Sequence, residues 1–323
     1  MSEELPAIPA GGLPRSARAP GKCIVFGEHA VVHGAPELVF AVDLTTQVFV
    51  TTGESTRLNA DAEASARNPY FRSAVELAWK GGSPVEVRAV SRIPKAAGLG
   101  SSAAFVAALV AAFSSASGGI DRPALAQRSF DVERGAQGVG SPGDTSTVVA
   151  GGFVAINGGP GEPLWSVRSP DHRWEVRRVS DPGWVWVIAF SGVPRSTADA
   201  VRAVGARLSA PGGPELLEEF RRVATEGIAA VGRGDRSTTA ELLRRNQELL
   251  REVGVSHPRL EALIQAAAPV SEGSKITGAG AGGSVVALPI PGKETELVRR
   301  LARAGALPFV VRPTAEGASL VGD

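Results

Sequence analysis

Apolar and polar positions along the chain follow two rhythms, and the switches between them mark its elements. Val85-Glu86-Val87-Arg88-Ala89-Val90 alternates residue by residue, which predicts a strand with one buried face. The stretch after it, Ile93–Ser117, opens on a proline and a small-residue loop, Ala96-Ala97-Gly98-Leu99-Gly100-Ser101-Ser102. It then runs through about four turns of Ala, Val, Leu and Phe without a charge, which predicts a buried helix. Ala19–Gly34 reads as a strand broken by a polar turn, and Val39–Thr52, rich in Val, Phe and Thr, as its partner. Asn68–Lys80 carries a helical period through Phe71, Val75, Leu77 and Trp79. Asp121–Gly135 predicts a second helix, with Asp121 as N-cap and Pro123 in the first turn. Gly138–Gly152, glycines and hydroxyls around one acid, Asp144, predicts a loop.

The later chain begins with a fully apolar strand, Trp184–Ser191. Amphipathic helices are expected at Pro211–Val231, Ser237–Val253 and His257–Ala268. Ser274–Pro289 reads as a glycine loop leading into a strand, Ser284–Leu288; a helix, Glu294–Gly305, and a closing strand, Phe309–Arg312, follow. Residues Met1–Ser16 have little to bury and read as a mobile tail, with order expected from Ala17. No repeat or low-complexity linker occurs, and a boundary near residue 180 divides 17–180 from 181–323.

Composition changes the picture mainly by exclusion. A chain of 323 residues holds one large domain or two ordinary ones. Lys plus Arg number 34 against 33 Asp plus Glu, so charge points to neither nucleic acid nor an anionic membrane as partner. The single cysteine, Cys23, excludes an internal disulfide and a cysteine-based zinc site, and fits a reducing compartment. The N-terminus lacks a charged-then-apolar leader pattern, and Ala103–Phe113 is too short to span a bilayer. A soluble, cytoplasmic protein is expected.

The glycine loop ahead of the central helix has the chemistry of an anion site. Its glycines let backbone approach a ligand, and the helix start supplies unpaired N–H groups and the positive end of a dipole. Gly278–Gly283 matches GxGxxG, yet strand-like Val285–Leu288 follows it where a dinucleotide site needs a helix. No GxxxxGK[ST] occurs. Glu28-His29 with His33 reads EHxxxH and not HExxH, without a third ligand, which argues against zinc. The ionisable residues in or beside glycine turns are Lys22, Glu28, His29, Glu133 and Asp144. Taken singly, such an Asp bonds its own backbone and such a Lys is solvated.

Taken together, these stretches resemble the mevalonate kinases of the GHMP superfamily of small-molecule kinases. APGKCIVFGEHAVVHG, from Ala19 to Gly34, is similar to the family's first motif. IPKAAGLGSSAA, from Ile93 to Ala104, is similar to its ATP-holding motif, and KITGAGAGGSVVAL, from Lys275 to Leu288, to its third. Glu133 precedes Asp144 by the family's spacing, and Arg195-Ser196-Thr197 resembles a short motif that brings a threonine to the active site. Gly143-Asp144-Thr145 in SPGDTST resembles the archaeal branch, and Ala281 interrupts the glycine run. Sugar kinases of the superfamily carry Thr-Asp where this chain has Ala30-Val31.

The resemblance implies an α+β GHMP kinase fold: an N-terminal domain like ribosomal protein S5 domain 2, and a ferredoxin-like C-terminal domain. It implies transfer of the ATP γ-phosphate to the C5 hydroxyl of (R)-mevalonate, an early step of isoprenoid biosynthesis, with Mg²⁺ as cofactor. A homodimer is implied too. Asp144 and Lys22 are then the catalytic pair, with Glu28, His29, Thr197, Gly278 and Ala279 at the substrate. Lys95, Ala97, Gly98, Leu99, Gly100, Ser101, Ser102 and Ala103 hold ATP, and Ser102 and Glu133 the metal. Lys275 has a structural role in this reading. Another kinase of the superfamily, or a binding protein that kept the fold, remain the alternatives; the second is disfavoured by the presence of both Asp144 and Glu133.

Overall fold

Two long strands, β1 (Arg15–Phe26) and β2 (Glu37–Thr52), pair antiparallel and carry the first half of the molecule in a computed structural model. It describes residues 12–13, 15–94, 97–114, 119–138, 140–193 and 197–322. A short helical turn (Ala30–His33) joins the two strands. β3 (Arg57–Leu58), β4 (Val85–Ser91), β5 (Phe153–Ile156), β6 (Glu162–Arg168) and β7 (Arg173–Val179) extend the sheet. The helices are α1 (Ala62–Arg67), α2 (Pro69–Ala78), α3 (Ser101–Ser114), α4 (Arg122–Gln137) and α5 (Gly143–Ala150). Helix α3 packs on β1, β2, α2 and α4 together, which is why its sequence is apolar on every side. The Asp121 carboxylate accepts from Ala124 N at 3.1 Å, capping α4.

The second half comprises β8 (Trp186–Phe190), α6 (Thr197–Leu208), α7 (Gly213–Gly232), α8 (Arg236–Glu252), α9 (Pro258–Ala267), β9 (Ser271–Thr277), β10 (Ser284–Pro289), α10 (Glu294–Arg303) and β11 (Leu307–Val311). Its sheet is four-stranded and antiparallel in the order β11-β8-β10-β9. Helices sit between the first and second and between the third and fourth of these strands, the ferredoxin-like βαββαβ pattern. The chain then returns: Thr314 N donates to Ala41 O at 3.0 Å, and β12 (Ser319–Leu320) pairs with β1. The first sheet therefore runs β12-β1-β2-β5-β7-β6, with β4 also on β2 and β3 on β4. From Ala19 to Phe26 every residue of β1 is buried, because helices from both halves (α3, α5, α7 and α8) pack on it.

Three expectations need correction. The hydroxyl-rich stretch around Asp144 is not a loop throughout: Gly143–Ala150 is the helix α5, buried at every residue except Asp144. Its Gly, Ser, Thr and Val residues have low helix propensity, which packing against α3, α4, β1 and β2 overrides. Order begins before Ala17, since Arg15 and Ser16 already pair with Val50 and Phe49. Arg15 Nη1 also donates to Ala112 O and Phe113 O, both at 3.3 Å, at the carbonyl end of α3. Met1–Gly11 and Pro14 of the expected tail lie outside the described residues. The strands β5 to β7 and helix α6 fill segments to which the hydrophobic pattern assigns no element, and Ser274–Thr277, expected as glycine loop, belongs to strand β9, paired with β10. No helix among the described residues is long and apolar enough to cross a membrane.

Candidate active site

The loop leading into α3 forms one wall of a cavity of about 710 Å³, closed by β1, β4, α4 and the glycine loop between β9 and β10. Gly98 and Gly100 adopt φ of 79° and 72°, in the left-handed region. A Cβ on Gly100 would lie 2.6 Å from Lys22 Cγ, so glycine here lets the lysine pass under the loop. The loop is pinned from two sides. Lys22 N donates to Leu99 O at 3.0 Å, and Ser284 Oγ from β10 donates to Ala97 O at 2.7 Å. Ala97, Gly98, Leu99, Gly100, Ser101 and Ser102 all line the cavity, whereas Ala103 is buried in the core beneath it. Lys95 lies outside the described residues.

Lys22 Nζ stands 3.0 Å from Asp144 Oδ1 and donates to Gly98 O at 3.1 Å. The lysine side chain is 2% exposed and the aspartate 33%, so the cation comes from below and the carboxylate faces the cavity. Helix α5 brings Asp144 there, and Thr145 Oγ1 donates to Pro142 O at 3.3 Å to steady its first turn. An ammonium fixed beside a carboxylate stabilises negative charge arising on a bound oxygen.

Glu133, from α4, is buried beside the cavity, and one carboxylate oxygen, Oε1, has no hydrogen-bond partner. Burial first, and then the charge of Asp144, push its carboxyl up to about 8, while a hydrogen bond with Ser102 pulls the other way. Tyr70, which the sequence reading missed, lines the cavity with Ser102 and Gln137; burial first, and the charge of Glu133, raise its phenol. Glu28 is 1% exposed and ion-paired to Lys275, itself 0% exposed, whose Nζ also donates to Ile276 O at 2.6 Å. Burial raises the Glu28 carboxyl against the opposing pull of Lys275. His29 holds φ 61° and donates from Nε2 to Ala279 O at 3.0 Å, tying the turn after β1 to the glycine loop of the second half. Gly278 and Ala279 line the cavity. Thr197 opens α6, and its neighbours Arg195 and Ser196 lie outside the described residues.

Glu37 was not read from the sequence either, although a lone acid in the apolar run Ala35–Val42 is a signal for it. It is 2% exposed, lines the cavity and accepts from Ser141 Oγ at 3.3 Å. Burial first, and then the charge of Asp144, push it up to about 8.

Residues 69–152 match the GHMP kinases N terminal domain and residues 227–307 the GHMP kinases C terminal domain. A mevalonate kinase of Archaeoglobus fulgidus is 34% identical over 84% of this chain and 91% of its own. The chain belongs to the mevalonate kinase family of the GHMP kinases. A second such relative, from Pyrococcus horikoshii, is 30% identical over 93% of this chain and 96% of its own. The crystal structure of L. major mevalonate kinase in complex with R-mevalonate superposes with a TM-score of 0.76, covering 96% of this chain and 100% of that one. At 19% identity it speaks for the fold alone. The N-terminal match contains α3, Glu133 and Asp144, and the C-terminal match contains Lys275 and the glycine loop. Lys22, Glu28 and His29 lie upstream of both matches and line the same cavity.

Proposed function

We propose that this chain transfers the γ-phosphoryl group of ATP to the C5 hydroxyl of (R)-mevalonate, giving 5-phosphomevalonate and ADP. The observation that carries the reading is the Lys22–Asp144 pair, 3.0 Å apart under the loop that opens α3, in a chain of this family. In this mechanism Asp144 takes the proton of the C5 hydroxyl as its oxygen bonds to the γ-phosphorus, and the bond from that phosphorus to the bridging oxygen of ADP breaks. Lys22 offsets the charge on the attacking oxygen. The backbone of Gly98–Ser102 and the Ser101 hydroxyl cradle the phosphates at the helix start. Phosphoryl transfer has a loose transition state, so positioning and charge neutralisation supply most of the rate. Glu28 and His29, with Gly278 and Ala279, shape the acceptor end, and Thr197 completes it.

The donors present fit Mg²⁺: the Ser102 hydroxyl, and Glu133 with its unpartnered buried oxygen, are hard oxygen ligands. When bound, the ion neutralises charge between the β- and γ-phosphates. Glu133→Gln is expected to raise the Mg²⁺ needed for half-maximal turnover on the order of ten- to a hundredfold. It should also weaken the Mg²⁺-dependent thermal stabilisation of the ATP complex; unchanged values in both contradict the assignment. Residues 17–180 carry ATP and Mg²⁺ in this reading, and residues 181–323 complete the cleft. The homodimer and the cytoplasmic location belong to the same reading, and light scattering tests the first.

ADP release with Mg-ATP across mevalonate, phosphomevalonate, galactose and homoserine tests the function. Mevalonate is expected to exceed every other acceptor in kcat/KM by at least about a hundredfold. Preference for another alcohol moves the chain to a sister activity on the same fold. ATP binding without ADP release from any acceptor favours a sensor.

A further inference from the structure

Glu37 sits at the acceptor cavity, and nothing in the mechanism above uses it. It opens β2, its main chain registered against Ile156 of β5. Ser141 Oγ donates to its Oε2 at 3.3 Å, and Gly143 N donates to the same hydroxyl at 3.4 Å. One hydroxyl thus ties the carboxylate to the turn that launches α5 and Asp144. A Cβ on residue 143 would overlap Glu37 Oε2, so the glycine makes room for the acid beneath that turn.

The charged groups facing Glu37 are Lys22 from β1, Asp144 from α5 and Glu28 from the turn after β1. Helix α3 and strand β5, also packed on β2, carry no charged residue. From α7, Arg221 Nη1 donates to Gly34 O at 2.9 Å. Strand β4 pairs with the far end of β2, Thr46–Thr52. Among the described residues the ammonium acting on Glu37 is that of Lys22, which Asp144 shares, while Lys275 is paired with Glu28.

We propose that Glu37 is a positioning residue for Asp144: uncharged, it props the Ser141–Gly143 turn and leaves Lys22 to Asp144, and on ionising it competes for Lys22 and turns the reaction down. This deepens the phosphotransfer reading and rests on it. Because its carboxyl is pushed up to about 8, the uncharged form prevails at neutral pH and the change falls on the alkaline side.

Two measurements test this on the full chain, one of them independent of turnover. At saturating Mg-ATP and mevalonate, wild-type kcat is expected to fall about tenfold between pH 7 and pH 9. Glu37→Gln keeps the shape and the prop without the charge, so it retains most of the neutral rate and loses that fall. Glu37→Ala removes the prop and lowers kcat at pH 7 with KM for ATP unchanged. The second measurement is the thermal midpoint of the unliganded protein against pH. A carboxyl whose pKa is higher folded than unfolded binds its proton more tightly when folded, so it costs stability as pH rises from the unfolded value, about 4.3, to the folded one. The midpoint of Glu37→Gln relative to wild type is therefore expected to climb from pH 5 to pH 8 and level off above. An alkaline fall that persists unchanged in Glu37→Gln, or a midpoint difference flat from pH 5 to pH 9, overturns the proposal. A wild type inert towards mevalonate overturns the phosphotransfer reading instead, and the midpoint series still decides whether Glu37 ionises as stated.

Discussion

Asp144→Asn is expected to lower kcat by about two to four orders of magnitude, the range that a positioned general base contributes. The amide is nearly the same size as the carboxylate but accepts no proton from a hydroxyl, so the deficit isolates the chemistry from the shape. Asp144 is 33% exposed and Lys22 keeps its bond to Gly98 O at 3.1 Å, so the fold should survive the change. KM for ATP should stay close to the wild-type value, because in the proposed mechanism the loop before α3, and not α5, cradles the phosphates. Steady-state kinetics beside a far-ultraviolet circular dichroism spectrum decide it. A variant within tenfold of wild type would remove Asp144 from the role of base.

The largest effect on stability is expected from Lys275→Met. Lys275 and Glu28 are 0% and 1% exposed, so removing the cation strands a carboxylate in the core. Breaking such a buried pair costs about 3–5 kcal/mol. The carboxylate escapes part of that cost by taking a proton, and its pKa is already raised by burial. A group with a raised folded pKa stabilises fully below its unfolded pKa and loses that contribution as pH rises through the folded value. The deficit of Lys275→Met in urea unfolding should therefore be larger at pH 8 than at pH 5. Lys275→Met with Glu28→Gln should recover most of the loss, since two neutral partners leave no buried charge. A single variant as stable as wild type at pH 8, or a double variant no better than the single, would show that the pair is not what holds these two strands' ends together.

Much of this site was legible in the sequence because its parts are local. The glycines before α3 are consistent with an anion-binding loop or a plain turn, and only together with Lys22, Glu133 and Asp144, in or beside turns that resemble family motifs, do they point to one cavity. What stayed hidden depends on distance along the chain or on packing. Glu37 meets Ser141 across 104 positions, and no local period records that contact. Tyr70 joins Ser102 and Gln137 in the cavity lining from a different helix, and on its own helix it reads as one more apolar position. Helix α5 was masked by hydroxyls that read as turn residues yet are buried at Thr145, Ser146 and Thr147. Strands β6 and β7 mix arginines with tryptophans on a half-exposed hairpin, and the alternation Arg173-Trp174-Glu175-Val176-Arg177 is too short and too charged to stand out. The second half was easier, because α7, α8 and α10 are amphipathic and β8 is apolar throughout.

The central claim is that phosphate moves from ATP to one particular oxygen, and the product itself tests it most directly. Phosphorus–proton correlation NMR on the product formed from (R)-mevalonate and Mg-ATP reads the position. The expected spectrum couples the new phosphate to the C5 methylene protons, with ADP appearing in equal amount. A phosphate without coupling to those protons, or ADP accumulating with no phosphorylated acceptor, would contradict the assignment of the C5 hydroxyl as the group that Asp144 and Lys22 serve.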